Sequence, residues 1–349
     1  MSQLPDNLVQ GTADWRGVIR SNNHKTFFVI TVFILIYVAL GMLVDMYMAS
    51  QHYPQATPGT LFQGIITLQI FPLATLIMLA VAGISLLVTF SFHDQLMLLG
   101  TEYREITPHT AQDTTEQQLY NVVEEMKIAA GLHFMPKVYL IEADYMNAFA
   151  SGYSEKSAMV AITRGLIQKL NRAELQAVMA HELSHVRHMD IKLTLMASVL
   201  ANLILIVLDM VFYNAIFSKR NSDENRSGNA LLTAIIILRY LLPIINVLLL
   251  LYLSRTREYM ADAGCVQLTR DNQALATALL KINSDHQNNQ ASYSAAYQQT
   301  PHENVRSEAY IFEPIQAGIE NTGSISDMFS THPNLKDRLA ALGFKYDSK

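Results

Sequence analysis

Four long apolar stretches decide what this 349-residue chain can fold into. They run from Phe27 to Val44, Ile65 to Phe90, Leu193 to Phe217 and Leu231 to Leu253. Each is near or above the roughly 20 residues a helix needs to cross a bilayer. They fall into two pairs, so the expectation is about four transmembrane helices in two hairpins. The first stretch is too long for a signal-peptide core, and no small-residue cleavage site follows it. It reads as an anchor that stays.

Charge sets the expected orientation. Residues 1–26 form a polar tail holding Arg16, Arg20 and Lys25, whereas the loop from Asp45 to Gln63 has no lysine or arginine. The positive-inside rule puts the tail in the cytoplasm and that loop outside. The linker from Ser218 to Ala230 disagrees, because it carries Lys219, Arg220 and Arg226 beside Asp223 and Glu224. Either the first hairpin decides orientation or the second is only partly inserted. A net charge of −5 points to no nucleic-acid partner. The single Cys265 excludes an intramolecular disulfide and a thiolate metal site, and sits in a small-residue stretch suited to packing.

Between the hairpins lies His181-Glu182-Leu183-Ser184-His185. Two histidines four apart share one helix face, so both imidazoles can reach one zinc ion. The glutamate between them can take a proton from a zinc-bound water. Asn171 with Glu174 three residues later makes a capping-box start, and Leu175, Val178, Met179 and Val186 recur at helical spacing. The motif therefore falls inside a capped amphipathic helix. Read without that context, it is a charged, exposed helix turn.

Catalytic zinc usually takes three protein ligands. The H-E-x-x-H-x-x-G-x-x-H arrangement is excluded, because His188 stands where it needs glycine and Ile191 where it needs histidine. The other common solution is a glutamate on a later helix. Glu258, within Ser254 to Asp262, is the natural candidate, although alone it reads equally as a solvated surface carboxylate. Asp262, one turn on, can accept the second ring N–H of a zinc-bound histidine.

Lys137 to Ala143 and Ala158 to Thr163 read as strands, with Asn147 to Gly152 between them. A small antiparallel sheet beside the zinc helix is expected, offering an edge for an extended substrate. Residues 284–325 are polar with little periodicity and read as a long loop or lid with some disorder. Counting residues as helix, the metal ligands lie within about 12 Å of the apolar runs, so the zinc should sit near the membrane surface. Asp209 and Arg239 fall at matching depths of the second hairpin. They are expected either to pair within the bilayer or to snorkel separately.

Taken together, Asn147 to Gly152, His181 to His185, Ser254 to Asp262, and Thr331-His332-Pro333 followed by Arg338 resemble the HtpX family of membrane-bound zinc metalloproteases, relatives of the Ste24 CAAX proteases. The resemblance covers about residues 25–282 and 328–345. It implies a mainly helical α+β fold, an integral membrane zincin-like (gluzincin) metalloprotease. The implied organisation is a cytoplasmic tail (1–26), a first transmembrane hairpin (27–94), a first catalytic part (95–192), a second hairpin (193–253) and a second catalytic part (254–349).

By the same resemblance, His181, His185 and Glu258 bind one Zn2+ per chain, Glu182 is the catalytic base and Asp262 orients a ligand. His332 is implied as a catalytic donor to the oxyanion, supported by Arg338, and Asn147 as a substrate contact. Read alone, His332 is a helix-start residue before Pro333, and Asn147 a turn residue. The implied activity is zinc-dependent endopeptidase cleavage of misfolded or damaged membrane proteins in quality control and stress response. The implied site is the bacterial inner membrane with the catalytic parts cytoplasmic. Partners are polypeptides in or near the membrane and the lipid bilayer, with homo-oligomers left open. The rivals are a Ste24-like processing peptidase and a non-enzymatic membrane scaffold with a silent site, for which Glu182 would be superfluous.

Overall fold

A computed structural model describes residues 8–10, 15–98, 102–152, 154–217, 226–299, 310–312, 330 and 332–346. Most of the 1–14 part of the tail, the linker at 218–225, the polar stretch at 300–309 and 313–329, and Thr331 lie outside the described residues. The chain divides into two units. One comprises Phe27–Phe90 and Thr194–Leu250, the other Met1–Thr26, Ser91–Leu193 and Leu251–Lys349.

The first unit is helical. Helix α1 (Trp15–His52) begins inside the stretch expected as a tail, α2 covers Pro58–Ile66 and α3 Leu73–Leu98. The expected second span, Ile65 to Phe90, is therefore not one helix. The chain breaks between Ile66 and Leu73, where Leu68 adopts a left-handed φ of 59° and Pro72 precedes α3. Buried Asp45 of α1 caps the restart, accepting from the Ala74 and Thr75 amides at 2.7 and 3.0 Å and from the Thr75 hydroxyl at 2.6 Å. A carboxylate at a helix N-terminus satisfies amides that have no intrahelical partner.

Helices α7 (Asp190–Phe217) and α8 (Arg226–Thr269) carry the later apolar runs. Among the described residues, three helical segments are long and apolar enough to cross a membrane: Ile19–His52, Met196–Tyr213 and Asn229–Thr269. The apolar run of α3, Leu73–Val88, is shorter. Leu40, Leu61, Met78, Ile204, Leu208 and Ile235 form this unit's buried core. The expected charge pair is present, with Arg239 Nε donating to Asp209 Oδ1 at 2.6 Å and its guanidinium 4.1 Å from the Phe212 ring.

The other unit holds a four-stranded sheet. Strands β2 (Tyr103–Ile106), β3 (Lys137–Ile141), β4 (Ala148–Ser151) and β5 (Met159–Thr163) lie in the order β2-β3-β5-β4. The sheet is mixed, which corrects the antiparallel expectation: β2–β3 and β4–β5 are antiparallel, while β3–β5 is parallel. The reason is topological. After β3 the chain passes to the edge as β4, then hairpins back so that β5 fits between them, running the same way as β3. Strand β1 (Leu8–Gln10) pairs separately with β6 (Phe344–Tyr346).

Helices α4 (Thr114–Ala130), α5 (Arg164–Lys169), α6 (Arg172–His188), α9 (Gln273–Asn288), α10 (Gln290–Gln299) and α11 (Leu335–Ala341) complete this unit. The sheet and α4, α6 and α9 share one apolar core containing Leu119, Val122, Leu140, Ile162, Val178, Leu183, Leu275 and Ile282. Residues 284–299 are helical, which corrects the expected loop. Tyr293 and Tyr297 of α10 are buried and supply the apolar anchors that the polar composition obscured.

Candidate metal centre

Helix α6 starts as its capping box requires. Asn171 accepts from the Glu174 amide at 3.0 Å, and Glu174 accepts from the Asn171 amide at 3.0 Å. From that start, His181 and His185 fall on one face, with Nε2 atoms 3.2 Å apart. Helix α8 crosses closely enough to bring in a third group. Gly264 permits the approach, since a Cβ there would overlap the Ser184 side chain of α6. Glu258 then lies with Oε1 3.4 Å from His185 Nε2 and Oε2 3.6 Å from His181 Nε2.

These separations test whether a metal fits. Ligand atoms held tetrahedrally at about 2.1 Å from one ion are about 3.4 Å from each other. The two Nε2 atoms, 3.2 Å apart, are close to that value, and one Glu258 oxygen faces each ring, at 3.4 and 3.6 Å. Taking one atom per residue, the three lie within 4.8 Å of one another, close enough to share an ion. Two imidazoles and a carboxylate, nearly or fully buried, form a donor set for a divalent cation.

Each histidine is held from behind by its other nitrogen. His181 Nδ1 lies 3.0 Å from Asp262 Oδ1, and His185 Nδ1 lies 2.8 Å from Asp190 Oδ2. Asp262 is in turn gripped by Arg338 at 2.7 and 3.0 Å, a bidentate buried pair. Asp190 contacts the Arg257 guanidinium. The motif pattern points to Asp262 but not to Asp190, five residues beyond His185. No local pattern marks it, because the approach depends on Met189, which takes a left-handed φ of 53° and turns the chain so that Asp190 faces back.

Glu182 is buried, and among the described residues no side chain hydrogen-bonds its carboxylate, which the Ala150 amide alone faces as a donor. Burial pushes its carboxyl above the ordinary carboxylate range, an effect a nearby dication opposes. His188, the next histidine along, is outside the cluster. Burial with Arg257 beside it pushes it down to about 4, so it stays neutral.

His332 joins the site, with Nδ1 3.2 Å from Glu258 Oε2. Arg338 is directed to Asp262 and, through Nη1, to the Ile311 carbonyl at 2.7 Å. Asn147 stands apart. Its amide donates to the Phe312 carbonyl at 3.0 Å and the Tyr297 hydroxyl at 3.2 Å, and its side-chain oxygen accepts from the Phe312 amide at 3.4 Å. It thus binds the chain itself. Residues 310–312 lie along the outer edge of β4, with Phe149 bridged to Tyr310 and the Ile311 amide donating to Ala148 at 2.9 Å. That part of the edge, expected to be open for substrate, is taken by the protein's own backbone.

An H-E-x-x-H helix, a carboxylate brought in by a second helix, and long apolar helices define a membrane-bound metalloendopeptidase. The pattern of peptidase family M48 matches residues 113–344. The protease HtpX homologue of Helicobacter pylori (strain Shi470) is 38% identical, covering 93% of this chain and 96% of that one. The HtpX homologue of Streptococcus uberis is 32% identical, covering 93% and 97%. The chain belongs to peptidase family M48 and, within it, to the HtpX proteases. The crystal structure of S. mikatae Ste24p aligns with a TM-score of 0.48 and 17% identity, over 91% of this chain and 66% of that one.

Proposed function

We propose that this chain is a zinc-dependent endopeptidase of the bacterial inner membrane, with its tail and both catalytic parts on the cytoplasmic side. Its substrates are misfolded or damaged membrane proteins, cleaved in quality control and the stress response. The observation that carries the reading is the His181–His185–Glu258 cluster with Glu182 beside it, a buried carboxylate that no side chain neutralises. A scaffold would gain nothing from keeping a buried carboxylate without a charge partner there, because such burial is costly.

When bound, zinc supplies a Lewis acid that polarises the scissile carbonyl and acidifies the attacking water. His181, His185 and Glu258 hold it, while Asp262 orients His181 through the ring N–H. Glu182 takes the proton of the attacking water and returns it to the leaving amine. His332 donates to the carbonyl oxygen as negative charge develops there. Arg338 serves by holding Asp262, and Asn147 by fixing the end of β4.

The apolar run ending at Leu253 and the ligand Glu258 share helix α8, which favours polypeptides in or beside the bilayer. The test is cleavage of casein and of a denatured membrane protein by the detergent-purified chain with zinc, beside Glu182→Ala. Cleavage by the wild type and none by the variant is expected. Equal activity in both refutes the assignment.

A further inference from the structure

Among the described residues, the three helices that carry runs long and apolar enough to cross a membrane each place a residue in one polar cluster. Asp190 is the first residue of α7, Arg257 lies in α8 and Thr26 in α1. Asp190 is divided between two partners: Oδ2 is 2.8 Å from His185 Nδ1, and Oδ1 contacts the Arg257 guanidinium. Arg257 also donates to the His188 carbonyl at 3.2 Å and the Thr26 hydroxyl at 3.3 Å. All three side-chain groups are almost wholly buried.

A buried carboxylate and guanidinium hold their geometry only as a pair, because either alone is an uncompensated charge. A carboxylate behind a histidine selects the tautomer and aims the ring. We infer that Asp190 and Arg257 are positioning residues that aim His185 at the metal and tie its orientation to the assembled bases of α1, α7 and α8. Apart from the Asp262–Arg338 support of His181, this is a second and separate carboxylate–arginine pair, and it comes from the membrane helices. The inference rests on the zinc site proposed above.

The test uses the full-length chain in detergent, stripped of metal and titrated with zinc against a chromophoric chelator. Asp190→Asn and Arg257→Gln are each expected to weaken zinc binding 10- to 100-fold. The visible spectrum of the cobalt-loaded protein should shift, and kcat should fall with KM little changed. A merely structural role would lower the melting temperature and leave the cobalt spectrum alone. Unchanged zinc affinity and cobalt spectrum, in a wild type that binds one zinc through His185, overturn the inference and spare the proposed function. A wild type whose zinc binding survives His185→Ala overturns both. Should Asp190→Asn not fold, Arg257→Lys keeps the charge but loses the fork. About tenfold weaker binding is then expected, and unchanged binding counts against the inference.

Discussion

Arg338 and Glu182 show how differently buried charges can serve one site. Arg338 is 3% exposed and neutralises Asp262 through two hydrogen bonds, so removing it strands a buried carboxylate. Arg338→Ala is expected to cost about 3–5 kcal/mol, read from thermal or denaturant unfolding, and to weaken zinc binding at the same time. Arg338→Lys should recover little, since an ammonium cannot reproduce the fork. Glu182 has no such partner. Glu182→Gln should lower kcat by about 100- to 10,000-fold and leave zinc content unchanged, measured by peptide cleavage and metal analysis. His181, His185 and Glu182 were legible in the sequence because four-residue spacing is a local property of helix. Asp190 was not, because its approach to His185 depends on the turn at Met189.

At the scale of elements, the outer edge of β4 is closed along Ala148 and Phe149 by residues 310–312. Asn147 is the fastener, bonding both the amide and the carbonyl of Phe312. Asn147→Ala is expected to destabilise the protein by about 1–3 kcal/mol, because buried groups of Phe312 lose their partner, and a melting curve would read it. A second element-scale prediction concerns α4 and β2. Glu116, at the start of α4, is fully buried and accepts from Arg104 at 2.5 Å, Arg164 at 3.1 Å and the Gln112 amide at 2.7 Å. Burial alone would raise its pKa, but these donors outweigh burial and hold it below the ordinary carboxylate value. A depressed folded pKa stabilises above the unfolded value, about 4.3, and that contribution disappears as pH falls through the folded value. The gap in melting temperature between wild type and Glu116→Gln should therefore be full at neutral pH and shrink below about pH 4. Neither fastening was readable beforehand. Asn147 and Phe312 are far apart in the chain, and the tyrosines of α10 that pack beside them sit in a stretch whose polar composition suggested a loop.

For the whole molecule, binding of the proposed metal is linked to folding. Stripping zinc with a chelator should lower the melting temperature and re-addition should restore it, since a ligand that binds only the folded state adds about 4 kcal/mol at a thousandfold excess over its dissociation constant. Within the helical unit, Asp209 and Arg239 pair at 2.6 Å. Asp209→Arg and Arg239→Asp should each destabilise the protein in detergent and together recover part of the loss. A double variant no better than the singles would count against the pair's role.

The sequence by itself determined the first, third and fourth apolar helices, the capped α6 and the placing of His181, Glu182 and His185 on it, because periodicity and capping act within a few residues. The missing third histidine pointed to Glu258, and family likeness then supported it. Only the tertiary structure decided that the sheet is mixed, that α3 restarts on Asp45, and that residues 310–312 occupy the β4 edge. It also decided that His185 leans on Asp190, which Arg257 contacts in turn. Each of these joins segments distant in the chain, and such contacts are set by which surfaces can be buried together, a choice that local pattern does not record.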